Sequence, residues 1–327
     1  MQSMISLDEL CHARETVAGV LPPTPAHVWP LLGERVGAKV VVKHENHNPT
    51  GAFKVRGGIV YMDALKREQP ECPGIISATR GNHGQSLALA GALAGIPVTI
   101  VVPHGNSPEK NAAMAALGAP LIEHGEDFDD AKAHADALGA EEGLIFVPSF
   151  DKRLVCGVAG YGAELFEAHD DLDVVYVPIG LGSGICGTIA ARDLLGAKAE
   201  IVGVQAEGSP AYALSFAAGH PVSTNTCHTF ADGIATRIPD PEAVAMINAG
   251  AARIVTVSDD EIADAVRHYW TDTHNLAEGA GAAPLAAAIK EADDNRGKKI
   301  GLVLSGGNID LALFREHVFD RSSSHES

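Results

Sequence analysis

Along the 327-residue chain, short β-branched runs alternate with longer Ala-rich stretches whose apolar residues recur at helical spacing. Val40–Val42 reads as a strand, and after a loop a helix starts near Phe53. Strands over 74–78, 97–102, 121–123 and 144–147 then alternate with helices over 82–94, 108–117 and 127–138. Helix 152–168, strand 174–178, helix 186–195, strand 200–205 and a helix near 211–217 follow, ahead of an irregular polar segment over 223–237. The last third reads as strand 254–257, helices 259–274 and 281–292, strand 300–304, a closing helix from Ile309 and a frayed tail over 321–327. Strands and helices in strict alternation predict an α/β protein with a largely parallel sheet. No repeat or linker divides the chain, so a second domain has to be woven into the first by two crossings.

Charge narrows the partners. With 24 Lys plus Arg against 42 Asp plus Glu, the net charge is −18, the wrong field for nucleic acid or an anionic membrane. A chain that is 46% hydrophobic and 20% charged has enough apolar surface to fold. No run approaches the ~18 apolar residues of a membrane span. The first fifteen residues carry acids early and do not read as a signal peptide. Five scattered cysteines without a Cys-x-x-Cys pair fit a reducing cytoplasm better than a disulfide framework. Glycine is in excess: 35 residues, about 11% against a usual ~7%. Without a three-residue period, that surplus belongs in turns, tight helix contacts or loops that approach a ligand.

Four segments carry candidate chemistry. Gly182-Ser-Gly184-Ile-Cys-Gly187 follows a predicted strand, opens a helix and has Glu207 twenty residues beyond it. That pattern fits a dinucleotide fingerprint, a phosphate cup of another kind, or merely a tight turn. In Lys43–Gly58, Lys54 sits in the first turn of a helix with Thr50 or Gly51 as its start signal. A charged amine is disfavoured there, which suits a neutral nucleophile; an ordinary surface lysine is the alternative. Thr79-Arg-Gly-Asn-His-Gly-Gln85 is a polar loop at the carboxyl end of a strand, where open α/β sheets bind ligands. It also reads as a simple cap by Asn82 or Thr79, with His83 in solvent. Ser305-Gly-Gly-Asn308 closes the last strand, either as a site element or as a glycine turn with an Asn cap.

Taken together, from about Lys39 to Asp310, these segments resemble the serine/threonine dehydratase and serine racemase family of pyridoxal-phosphate enzymes, with a tryptophan-synthase-like fold. The resemblance lies in Lys43–Gly57 for Lys-x-Glu-x-x-x-x-Thr/Ser-Gly-Ser/Ala-Phe-Lys-x-Arg-Gly, in Gly81–Gln85 and in Ser305–Asn308. It implies two open, mostly parallel twisted sheets with flanking helices. The large cofactor domain would comprise 1–73 and 147–327, with a small mobile α/β domain, 74–146, inserted. It implies that Lys54 links covalently to pyridoxal 5′-phosphate, Phe53 packs beside the ring and Asn82 bonds its phenolic oxygen. Gly180, Leu181, Gly182, Ser183 and Gly184 would hold the phosphate, Ser305 would face the pyridine nitrogen, and Glu278 would lie near the ring. Thr79, Arg80, Gly81, Asn82 and His83 become the substrate loop.

The implied reaction is β-elimination from a 3-hydroxy amino acid, by default L-threonine or L-serine, to a 2-oxo acid and ammonia. Alternatives are 3-hydroxyaspartate or phenylserine as substrate, β-replacement of the cysteine synthase type, an NAD-dependent oxidoreductase and a non-catalytic amino-acid sensor. The resemblance also favours a homodimer.

Two departures sharpen the expectation. The family's racemases carry a serine before the loop glycine to protonate the opposite face of substrate, whereas Arg80 stands here and stays protonated. Racemisation is therefore expected to be negligible, and Arg80 becomes either a carboxylate clamp or an outward partner of a surface acid. At the family's cation site, Glu207 and Ala211 match, but the aspartate position falls near Ala213, which puts metal activation in doubt. The histidines lack transition-metal spacing. The chain stops soon after Asn308, so feedback control through a C-terminal effector domain is not expected, in keeping with a catabolic role.

Overall fold

The computed structural model describes residues 4–319; the expected frayed tail lies outside them. Its first half runs α1 (Leu7–Ala18), β1 (Ala26–Val28), α2 (Pro30–Val36), β2 (Lys39–His44), α3 (Lys54–Glu68), β3 (Ile75–Ala78), α4 (Asn82–Ala94), β4 (Val98–Val102), α5 (Pro108–Ala116), β5 (Leu121–Glu123), α6 (Phe128–Glu142) and β6 (Ile145–Phe146). There follow α7 (Lys152–Ala168), β7 (Val174–Pro178), α8 (Ser183–Leu195), β8 (Glu200–Ala206), α9 (Ala211–Ala218), α10 (Pro241–Gly250), β9 (Arg253–Val257), α11 (Asp259–Thr273), α12 (Gly279–Lys290), α13 (Ala292–Asn295) and β10 (Lys299–Leu304). A last helical stretch occupies 311–319.

The strands form two sheets, as the alternation and the resemblance imply. One has six strands in the order β1-β2-β10-β7-β8-β9; only the β1–β2 pair is antiparallel. The other has four parallel strands, β5-β4-β3-β6, all drawn from between Ile75 and Phe146. Parallel strands covered on both faces read as continuous apolar runs, and β3 and β7 are buried at every position. One hydrophobic cluster joins the two sheets, since Ile75 and Ile100 of the small sheet belong with Val175 and Val177 of the large one.

Five elements were not predicted by the pattern: α1, β1, α2, α10 and α13. Helix α1 buries only Leu10, Ala13 and Val17, so its apolar stripe is thin, although Ser6 and Glu9 form a full capping box. Helix α10 opens with Asp240 as cap and Pro241 at its first position. One predicted helix start shifts by three residues, and one predicted cap goes unused. Helix α8 begins at Ser183 rather than 186, because Gly182 at φ 102° is its cap. Thr50 and Gly51 do not cap α3: the cap position is Phe53, no side chain caps it, and the Thr50 hydroxyl donates to the Ala52 carbonyl. The Phe53 N–H is instead satisfied by the Ser305 carbonyl, which ties the start of α3 to the end of β10.

A buried charge cluster fixes α3 from below. Arg56 donates to Glu45 and Glu164, Lys43 donates to Glu164 and the Thr24 carbonyl, and Thr24 donates to Glu45. Burial pushes the Glu45 carboxyl up, but Arg56 and Lys43 hold it below the ordinary range, which favours its ionised form. Removing one member would leave an unpaired buried charge, a change that costs about 3–5 kcal/mol. On its other side α3 meets α4 closely: a Cβ on Gly58 would lie 2.9 Å from the Ser86 carbonyl oxygen, and the Ser86 hydroxyl donates to the Lys54 carbonyl at 2.6 Å.

Candidate active site

The carboxyl ends of β3, β7 and β10 and the start of α3 converge on one cavity of about 410 Å³, lined among others by Lys54, Asn82, Ser183, Glu278 and Ser305. The three loops flagged by sequence and Lys54 thus share one space. The Lys54 amine donates to the Ser183 hydroxyl at 3.0 Å and lies 5.2 Å from the Phe53 ring centroid. No carboxylate among the described residues bonds it, and burial lowers its pKa to about 8, which favours the neutral amine.

The turn into α8 is a cup of backbone. The first recorded intrahelical bond runs from the Cys186 N–H to the Gly182 carbonyl, which leaves the N–H groups of Ser183, Gly184 and Ile185 at the positive end of the helix. Side chains brace the cup from behind: Tyr212 donates to the Leu181 carbonyl and Tyr161 to the Gly184 carbonyl, each at 2.9 Å. Glycine is required at 182, where φ is 102° and a Cβ would lie 2.7 Å from the Ala243 Cβ.

The turn into α4 differs from a plain cap. Thr79 does the capping, its hydroxyl accepting from the N–H groups of Gly81 and Gly84. Asn82 instead reaches across the cleft, donating to Glu278 at 2.8 Å and accepting from Asn308 at 2.7 Å. Asn308 therefore ties loops together, donating also to the Thr50 carbonyl, rather than capping a helix. His83 is buried rather than solvated, and burial together with the nearby Lys54 lowers its pKa to about 3. Glu278 is buried as well; desolvation and Asp232 raise its pKa to about 7 against the lowering by Lys110 and Asn82.

Other residues of the site escaped the sequence reading. Lys110 of α5, buried, pairs across the cavity with Asp232, and Arg237 pairs with Asp127 and Asp129 at the start of α6. Asp232 and Arg237 lie in the segment set aside as irregular, and its polarity inside an apolar chain was the available clue. Lys110 offered none, since its helix reads as an ordinary surface helix. Glu207 is outside the cavity lining: Lys290 donates to it, to the Thr256 carbonyl and to Glu261, so that carboxylate already faces an ammonium. Among the described residues no three His, Cys, Asp or Glu side chains converge as a metal-binding group. Nor is any helix among them long and apolar enough to cross a membrane.

Comparison with known proteins agrees with this geometry. The family model for pyridoxal-phosphate dependent enzymes matches residues 17–306. An L-threonine ammonia-lyase of Thermotoga maritima is 34% identical over 95% of this chain and 77% of its own. The L-threo-3-hydroxyaspartate ammonia-lyase of Saccharomyces cerevisiae is 33% identical over 89% of each chain. The structure of maize serine racemase superposes with a TM-score of 0.89 at 26% identity, covering 99% of this chain and 100% of its own. The residues present suit the cofactor these proteins imply. A glycine cup offers free N–H groups to a phosphate, a part-buried amine faces it, and two buried polar atoms in the cavity wall, Glu278 Oε2 and His83 Nε2, have no partner among the described residues. With a family match spanning most of its length, the chain belongs to the pyridoxal-phosphate-dependent enzymes rather than to the dinucleotide-dependent oxidoreductases that Gly182–Gly187 alone would also fit.

Proposed function

We propose that this protein is a pyridoxal-phosphate-dependent ammonia-lyase that converts a 3-hydroxy amino acid, with L-threonine and L-serine as reference substrates, to a 2-oxo acid and ammonia. The observation that carries the reading is the part-buried Lys54 amine, bonded to no carboxylate among the described residues and 3.0 Å from a serine at the mouth of the glycine cup. When bound, the cofactor supplies an electron-withdrawing ring that stabilises negative charge at the substrate Cα. In this reading Gly180–Gly184 hold its phosphate, Phe53 packs beside the ring, and Asn82, oriented by Glu278 and Asn308, meets the ring oxygen. An amine near pKa 8 exchanges protons readily at working pH, so Lys54 takes the proton from the substrate Cα. The Cβ–O bond breaks with its electron pair leaving on the hydroxyl oxygen, which takes up a proton in exchange for the one removed from Cα and departs as water. The released enamine then hydrolyses to the 2-oxo acid and ammonia.

Ser305 lines the cavity at the end of β10, and its uncharged hydroxyl has no means of holding a proton on a ring nitrogen. That favours prompt expulsion of a β-substituent over a long-lived carbanion. Residues 74–146 act as a mobile small domain whose closure excludes water, through the contacts that Asn82, Lys110 and Asp127 make across the cleft. Scattered free cysteines and net negative charge support a cytoplasmic site of action in amino-acid breakdown, and the family resemblance supports a homodimer.

The test is a visible absorption spectrum of the purified protein together with an assay for 2-oxo acid from serine and threonine. A coloured protein that releases 2-oxo acid, and a Lys54→Ala variant that does not, are the expected results. A protein that forms no 2-oxo acid from any hydroxy amino acid, or a Lys54→Ala variant at the wild-type rate, refutes the proposal.

A further inference from the structure

In a chain of net charge −18, an arginine without an acid is unusual. Every other arginine among the described residues has a partner: Arg14, Arg35, Arg56, Arg67, Arg153, Arg192, Arg237, Arg253, Arg267 and Arg296 bond carboxylates, and Arg315 also interacts. Arg80 alone has neither a hydrogen bond nor an ion pair among them, and it lines the reaction cavity. The neighbouring charges cancel one another. Lys110 is matched by Asp232, and Arg237 by Asp127 and Asp129. Arg80 is not turned to any acid among the described residues.

The same loop already offers donors for one carboxylate. Thr79 consumes the N–H groups of Gly81 and Gly84, which leaves those of Asn82 and His83 at the positive end of α4. Arg80 stands outside that helix start on a long, exposed side chain, suited to a second anionic group farther out. A neutral side chain such as a methyl would leave the guanidinium in water with nothing gained. A carboxylate would meet a planar, two-pronged donor at the cavity wall.

We propose that Arg80 is a specificity-determining residue that binds the side-chain carboxylate of a 2-amino-3-hydroxydicarboxylate, of which threo-3-hydroxyaspartate is the shortest. This rests on the ammonia-lyase reading and narrows its substrate class.

The experiment measures kcat/KM of the holoenzyme for threo-3-hydroxyaspartate, serine and threonine in wild type, Arg80→Ser and Arg80→Lys. Wild type is expected to favour the dicarboxylate. In Arg80→Ser the hydroxyaspartate-to-serine ratio should fall roughly 10- to 100-fold, mainly through KM, and Arg80→Lys should recover part of it. Inhibition supplies a second readout: succinate should lose affinity in Arg80→Ser by the same order, and propionate, with one carboxylate fewer, should not. A ratio that stays within about threefold, or a drop shared equally by all three substrates, overturns the proposal, the latter by assigning Arg80 to the α-carboxylate. Should Arg80→Ser fail to bind cofactor, the Arg80→Lys ratio and wild-type succinate inhibition decide. Absence of 2-oxo acid from every substrate in wild type would instead remove the ammonia-lyase reading itself.

Discussion

The turn from β7 into α8 and the turn from β3 into α4 face the same cavity and are built alike. Each leaves the carboxyl end of a buried parallel strand, passes through glycine and opens a helix of 13 residues. They differ in what stands at the tip. The α8 turn presents backbone and one serine hydroxyl, braced by Tyr161 and Tyr212, and carries no charged side chain. The α4 turn is held by a single threonine hydroxyl and carries an exposed arginine. A receptor made of main chain suits an anion that never changes, such as a cofactor phosphate. A receptor ending in a long side chain suits a ligand that differs from one enzyme to the next.

If that contrast is right, damage to the two turns should separate cofactor binding from substrate use. The largest effect is expected from Gly182→Ala, because left-handed backbone costs about 1–2 kcal/mol and the new Cβ, 2.7 Å from Ala243, adds about 1–3 kcal/mol of overpacking. Titrating cofactor into the apoprotein should show its dissociation constant raised roughly 10- to 100-fold. An unchanged constant would mean that the α8 turn is not the phosphate receptor.

Next comes Lys54, which faces the α8 turn through Ser183. Its pKa is lowered from 10.5 to about 8, so between those values the folded protein binds fewer protons than the unfolded chain. The group's contribution to stability therefore rises with pH across that window and is least favourable below pH 8. Lys54→Met should stabilise the cofactor-free protein at pH 7 by about 1–3 kcal/mol, with the advantage vanishing by about pH 10.5. Denaturant midpoints at several pH values check both the sign and the window.

Thr79→Val removes the acceptor for two buried N–H groups and should cost about 1–2 kcal/mol of stability. Substrate KM should rise while cofactor affinity stays within about threefold, the mirror image of Gly182→Ala. The smallest change is expected from Arg237→Gln, since a partly exposed ion pair contributes about 0–1 kcal/mol. KM should rise only about two- to fivefold, and its dependence on salt should weaken.

The sequence made the skeleton of this comparison legible, because both turns follow strands that are apolar throughout and both helices are rich in small apolar residues. Helix 82–94 and strand 174–178 coincide with α4 and β7. The α8 start was displaced by three residues because Ser183 and Gly184 read as loop until backbone conformation makes Gly182 the cap. Lys54 and Asn82 were visible through local motifs. Lys110 and Asp232 were not, since their meaning comes from a pairing across 122 residues that no local pattern encodes. Arg80 was half legible: its identity was plain, but its lack of a partner is a fact about every acid in the fold.

The bond from Ser86 to the Lys54 carbonyl has a mechanical corollary. It pins α4 to α3 one turn inside the loop, only six residues beyond Arg80, at a seam where Gly58 leaves no room to slide. If residues 74–146 move as the proposed small domain, this contact gives them a fulcrum next to Lys54 and a short lever arm beyond it. Opening would then swing Arg80 by a small arc while Lys54 stays in place, so that substrate exchange would leave the proposed cofactor anchor undisturbed.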